Sequence, residues 1–122
     1  MDSLIIEEEY AGDVIVLKLR GLIDSGTSQQ LEDKFKDLVT AKSVRVVVDL
    51  QDVDYISSAG WGIFVGEIKG IRERNGDIKL AGMTPDVREV FDLLEFHTLL
   101  QPYDSKEDAV AVFGGRQNSR LS

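Results

Sequence analysis

The chain has 122 residues, the size of one domain. It carries 14 Lys and Arg against 22 Asp and Glu, a formal net charge of -8. That balance argues against nucleic acid as a partner, because phosphate binding needs clustered cations. Cysteine is absent and His97 is the one histidine, which excludes disulfides, thiolate metal sites, cysteine nucleophiles and a histidine-rich metal site. Absence of cysteine fits a cytoplasmic protein. The start, Met1 to Glu9, lacks the basic region and long apolar stretch of a signal peptide, and no apolar run approaches the ~18 residues of a membrane span.

In chain order, Leu4–Tyr10 and Val14–Arg20 are apolar-rich runs joined by Ala11-Gly12-Asp13, which reads as a β-hairpin. Alternation puts Val14, Val16 and Lys18 on one face and Ile15, Leu17 and Leu19 on the other. The residues Gly21 to Gly26 read as a loop. Thr27-Ser28-Gln29-Gln30 fits a capping box, and Leu31, Phe35, Leu38 and Val39 follow at helical spacing, which predicts a helix over about 28–41. Val44–Leu50 is continuously apolar and β-branched, the mark of a central strand covered on both faces. Gln51 to Ser58 reads as a loop rich in Asp and Ser.

A helix is expected from about Ser58 to Arg74, with Trp61, Phe64, Ile68 and Ile71 on its apolar stripe. Gly62, Gly66 and Gly70 form a second stripe. Helical glycine costs roughly 1 kcal/mol relative to Ala, so close approach to a neighbour is expected there. Asn75-Gly76 is a stop signal and Asp77–Ala81 a short strand. Thr84-Pro85 starts a helix carrying Val87, Val90, Phe91 and Leu94. A last short strand is expected over His97–Leu100. Asp104 to Glu107 opens a final helix with Ala109, Val110 and Phe113, ended by Gly114-Gly115. The order β-β-α-β-α-β-α-β-α predicts an α/β domain over 1–115, built on a mixed, mostly parallel sheet with about four helices. A disordered polar tail is expected over 116–122.

One stretch carries chemistry. From Val46 to Gly66 a buried strand leads through Asp49, Asp52 and Asp54 to Ser57 and Ser58 at a helix N-terminus. Free N–H groups and a partial positive charge there stabilise a phosphate. A serine in this place is a candidate phosphoacceptor, and the nearby carboxylates would make added negative charge repulsive. The plainer reading of either serine is a helix cap, worth about 1 kcal/mol.

The same segment resembles the signature of STAS domains, in particular the bacterial anti-sigma-factor antagonists. The matching parts are the strand Val46–Leu50 ending in Asp49-Leu50, the acidic Asp52–Asp54, the pair Tyr55-Ile56, the turn Ser57-Ser58-Ala59, and Gly60-Trp61-Gly62 opening the helix. Gly21-Leu22-Ile23-Asp24 resembles the family's turn after the second strand. The resemblance implies the STAS fold and identifies Ser58 as the phosphoacceptor, with Ser57 the alternative, since Ser57 stands where many members have Asp. It implies a docking surface of Asp24, Ser57, Ser58, Ala59, Gly60 and Trp61. Trp61 reads either as an interface anchor or as an inward-packed side chain. Asp24 reads either as orienting the acceptor turn or as a cap for Ser25–Thr27.

The resemblance further implies a switch protein and not an enzyme, without cofactor or metal of its own. It would bind an anti-sigma factor that is also a serine kinase of the histidine-kinase-like ATPase type, and so release a sigma factor. Phosphorylation would break the complex, and a PP2C-type phosphatase would reset it. The alternative within the fold is a scaffold or regulatory subunit of a signalling or lipid-transport complex, with no phosphorylation. Other classes fit poorly. A serine hydrolase needs a base and the Gly-x-Ser-x-Gly pattern, which these serines lack. A phosphoaspartate receiver needs an acidic pair where Ala11-Gly12-Asp13 stands. Gly60, Gly62 and Gly66 miss the dinucleotide spacing, and no P-loop ending is present.

Overall fold

Alternation along the strands decides which layer each side chain joins. The structure, a computed structural model, describes residues 4–40 and 44–121, with side chains for all of these except residue 40 and residues 114–121. In chain order the elements are β1 (Ile5–Ala11), β2 (Val14–Ile23), α1 (Ser28–Thr40), β3 (Arg45–Ile56), α2 (Ser58–Glu73), β4 (Asp77–Ala81), α3 (Pro85–Leu93), a 3-10 turn (Phe96–Thr98), β5 (Gln101–Tyr103) and α4 (Lys106–Leu121). The strands lie side by side in sequence order. The first pair is antiparallel and the others are parallel.

A sheet that grows in one direction by right-handed crossovers places its crossover helices on one face. Ile15, Leu17, Leu19, Val46, Val48 and Leu50 accordingly share one core with Leu31 and Phe35 of α1, Phe64 and Ile68 of α2, and Val87 and Phe91 of α3. Their strand neighbours Val14, Val16 and Val47 point the other way, onto Ala109 and Phe113 of α4. The expected α/β fold with its opening hairpin and four helices is therefore present. In the hairpin turn Gly12 takes a φ of 64°, open to glycine without strain.

Several boundaries differ from the sequence reading. β2 runs on to Ile23 and β3 to Ile56, where loops are expected. The two tails pair with each other, Leu22 opposite Tyr55 and Ile23 opposite Ile56, through two register shifts. Val53 and Ile56 go inward while Asp52 and Asp54 stay outside, so acidic residues are accommodated without breaking the strand. The last strand is Gln101–Tyr103, and His97 sits in the exposed 3-10 turn before it. Pro102, which cannot donate to a ladder, is tolerated because β5 is an edge strand. Helical backbone continues through Gly114-Gly115 to Leu121, through residues read from sequence as a polar tail. The side chains of that stretch, and Ser122 altogether, lie outside the described residues.

The capping box at α1 does not form. Thr27 Oγ1 instead donates to the Leu22 carbonyl and accepts from the Asp24 N–H, and Gln30 reaches across to the Leu4 carbonyl. The glycine stripe of α2 expected to allow close approach, Gly62, Gly66 and Gly70, does not do so. A Cβ at Gly62, Gly66 or Gly70 would meet no neighbouring element within 4 Å. The tight contact falls at Gly60, where a Cβ would lie 2.6 Å from Cγ2 of Ile23 and 2.9 Å from Cγ2 of Ile56.

Candidate functional site

The ends of the two central strands and the first turn of α2 are built as one unit. The Ser57 N–H donates to the Ile23 carbonyl at 2.8 Å, which ties the start of α2 to the end of β2. Asp24 follows Ile23 directly, so the turn after β2 lies alongside the serine turn. The bare Cα of Gly60 lets the helix seat on Ile23 and Ile56. Gly60 is itself buried and presents no side chain, so its part in the predicted docking surface is to allow this packing.

The two serines have different surroundings. Ser57 is the N-cap of α2, with extended backbone, and its hydroxyl accepts from the Gly60 N–H at 3.3 Å. It is half-buried. Ser58 is the first helical residue and is exposed. The N–H groups of a helix's first turn have no intrahelical acceptor, so Ser58 stands where the field of α2 favours an anion.

Asp24 behaves as a turn-forming residue. Its Oδ1 accepts from the N–H groups of Gly26 at 2.9 Å and Thr27 at 3.1 Å, and its backbone carbonyl accepts from Thr27 and Ser28. This is the cap reading of Asp24, and it fixes the turn that flanks Ser57.

Trp61 takes the inward of its two readings. It is 2% exposed. Its ring stacks on Phe96 at 4.9 Å and meets Phe91 at 5.9 Å and Phe64 at 6.0 Å. It is a core residue and not a projecting anchor, packed in one cluster with Phe64, Ile68 and Ile71. Among the described side chains its Nε1–H is buried without an acceptor.

The acidic surroundings are thinner than the sequence suggests. At about 3.3 Å per strand residue, Asp49 lies roughly 23 Å before Ile56 and Asp52 roughly 13 Å before it. Asp49 is buried and accepts from the Gln51 N–H. Asp52 faces Arg20 at 3.6 Å and Lys18 at 4.0 Å. Asp54 is the member of the three that stays near the serines, and it has no ion pair among the described residues. Sequence spacing hid this because a loop would have gathered carboxylates that a strand spreads out.

Sequence reasoning missed a groove next to the serine turn, between Tyr55 and Ile56 at the end of β3 and Val87 and Val90 of α3, with Trp61 lining it. The apolar character of Val90 was legible, but not that it stays 36% exposed. Among the described residues no group of His, Asp and Glu is placed to hold a metal ion, and no helix is long and apolar enough to cross a membrane.

The STAS domain model matches residues 6–109, which is most of the chain and includes every residue of the site. The chain belongs to the STAS domain family. This STAS domain is 35% identical over 100 residues to BtrV of Bordetella bronchiseptica, a match covering 82% of this chain and 86% of that protein. It is 23% identical over 109 residues to the anti-sigma F factor antagonist of Paenibacillus polymyxa, covering 88% and 93% of the two chains. Its fold matches the anti-sigma factor antagonist SpoIIAA in its unphosphorylated form with a TM-score of 0.78 at 18% identity, over 91% of this chain and 97% of that one. SpoIIAA in its phosphorylated form matches at 0.69 and 17% identity, over 89% and 99%.

Proposed function

We propose that this STAS domain is an anti-sigma-factor antagonist whose binding is switched by phosphorylation of Ser58. The observation that carries the choice of Ser58 is its exposure at the first position of α2, beside a Ser57 whose hydroxyl is already engaged as the cap. Relatives named as anti-sigma factor antagonists, including those of Paenibacillus polymyxa and Listeria monocytogenes, support the partner class.

In this reading the partner is an anti-sigma factor with a histidine-kinase-like ATPase fold, in the cytoplasm. While Ser58 is unmodified the two bind and a sigma factor is set free. The partner supplies ATP and Mg²⁺. The Ser58 Oγ forms the new P–O bond, loses its proton, and ADP departs. The added charge sits at a helix N-terminus that stabilises it within this chain. What disfavours it is the complex, where a surface docked on Ser58 must desolvate a dianion beside Asp54. A PP2C-type phosphatase hydrolyses the ester and restores the hydroxyl. This chain supplies the acceptor and the docking surface, and performs no catalysis itself.

The test is intact mass after incubation in host lysate with Mg-ATP, for wild type, Ser57→Ala and Ser58→Ala in parallel. A phosphate-sized gain lost only in Ser58→Ala is the expected result. A gain lost only in Ser57→Ala moves the acceptor. No gain in wild type, while a control kinase substrate in the same lysate is modified, turns the reading to a scaffold or regulatory subunit that is not phosphorylated.

A further inference from the structure

The groove beside the serine turn has features the switch alone does not use. It encloses about 300 Å³ between the end of β3 and α3. Apolar surface is open at its mouth: Tyr55 is 54% exposed and Val90 36%. The patch continues along the helix, where Leu93 is 78% exposed and Leu94 54%. Val90, Leu93 and Leu94 stand at spacings of three and four and so share one helical face. One exposed leucine needs no explanation, but a contiguous apolar strip with a polar rim marks an interaction surface.

The rim has one sign. Asp54, Asp86 and Glu89 line the groove, and none of them has an ion pair among the described residues. One turn on, Asp92 is taken by Arg88 at 3.0 Å. Some carboxylates elsewhere find cations, Glu8 with Lys34, Glu9 with Lys106 and Asp13 with Arg45, while others such as Glu67, Glu73 and Glu95 have no ion pair among the described residues. The groove is thus an apolar slot lined by three carboxylates that have no ion pair among the described residues. Trp61 lines it, and its buried Nε1–H lacks an acceptor among the described side chains.

We propose that this groove docks a basic segment of a partner protein, with an apolar side chain seated between Tyr55 and Val90 and Lys or Arg side chains on Asp54, Asp86 and Glu89. The charge selects this occupant over others. A second copy would bring its own three carboxylates against these, in a chain of net charge -8. An anionic membrane surface meets the same repulsion. The groove's lining starts at Asp54, four residues before Ser58, and takes in Trp61, three residues after it, so a partner covering the serine reaches it without a gap. The proposal rests on the reading of this chain as a protein-binding module, and not on phosphorylation of Ser58.

The experiment is an NMR titration of the ¹⁵N-labelled chain with two synthetic helical peptides of the same leucine pattern, one with lysine and one with glutamate at the polar positions. Trp61 is the single tryptophan, so its indole N–H is one assigned reporter inside the groove. The lysine peptide is expected to shift that signal and the amides of Tyr55 and Val90 saturably, more weakly at high salt. The glutamate peptide is expected to shift none of them. The Asp86→Lys, Glu89→Lys double variant is expected to bind the lysine peptide at least tenfold more weakly with its spectrum otherwise unchanged. Undiminished binding by that variant overturns the proposal, as does no binding by wild type, or shifts centred on Glu7–Glu9 of β1. Sedimentation of the unlabelled chain showing a dimer that Leu93→Lys dissolves would assign the face to a second copy and also overturn it. The phosphorylation assay reads a different site by a different signal, so either idea can fail alone.

Discussion

Ser57 and Ser58 carry the same hydroxyl, and their neighbours separate them. Ser57 Oγ satisfies the Gly60 N–H at the start of α2, whereas Ser58 faces solvent. Loss of a helix cap costs about 1 kcal/mol, and loss of an exposed hydroxyl costs a few tenths at most. Ser57→Ala should therefore lower the melting temperature by roughly 4 °C, while Ser58→Ala leaves it within a degree. Thermal denaturation followed by circular dichroism checks both. Equal losses in the two variants would mean that Ser58 shares the capping role. At this scale the sequence was only partly legible. The serine turn and the αL residue Asn75, with its φ of 65°, follow from local chemistry. The roles of Thr27 and Gln30 do not, because their partners Leu22 and Leu4 come from another element.

Helix α2 shows how an element can be right in extent and misread in detail. Its boundaries and its apolar stripe follow from 3.6-residue periodicity, whereas the inward turn of Trp61, which the sequence left open, is decided by its packing on Phe91 and Phe96. Its glycines do not follow, since glycine in a helix signals either a close neighbour or nothing at all. Here Gly60 has the neighbours and Gly62, Gly66 and Gly70 have open space. Gly66 and Gly70 are exposed, so Gly66→Ala and Gly70→Ala should each stabilise the chain by up to about 1 kcal/mol through helix propensity. Urea unfolding measures this, and a loss of stability in either variant would show that the glycine is needed for a contact after all. Strand β3 went wrong for a complementary reason. Acidic residues read as loop when judged by composition, but the paired tail of β2 supplies the ladder, and two register shifts bring Val53 and Ile56 instead of Asp52 and Asp54 onto the core face of Val46, Val48 and Leu50.

Across the whole molecule, β1 is an edge strand held from both layers. Consecutive residues of a strand point to opposite faces, so Glu8 meets Lys34 of α1 and Glu9 meets Lys106 of α4. The hydrogen bond from Lys34, helped by that from Tyr10, holds the Glu8 carboxyl below the ordinary glutamate range. The hydrogen bond from Lys106 does the same to Glu9. A carboxyl whose pKa is lower in the folded state stabilises the fold above its unfolded pKa, and that contribution fades as pH falls through the folded value. Acid should thus loosen β1 before the central strands. Hydrogen exchange at a series of pH values below the glutamate range should show β1 amides losing protection ahead of those of β3, and Glu8→Gln with Glu9→Gln should remove most of that pH dependence. Unchanged pH dependence in the double variant would mean that other groups set the acid limit. None of these pairs was visible in the sequence, because the lysines that meet Glu8 and Glu9 lie 26 and 97 positions away.

The backbone bond from Ser57 to Ile23 has a consequence for timing. It ties the serine turn, which follows β3, to the end of β2, and so to the two longest strands of the sheet. A mark written on Ser58 would then land on a fixed seat. In the proposed switch, Ser58 is already exposed at the start of α2, so no opening of the described fold would be needed for a partner to reach it, and the chain itself would add no slow step to the response. The delay between signal and release would belong to the enzymes that write and erase the mark and to the lifetime of the complex, and cells could retune it by changing those while leaving this domain alone.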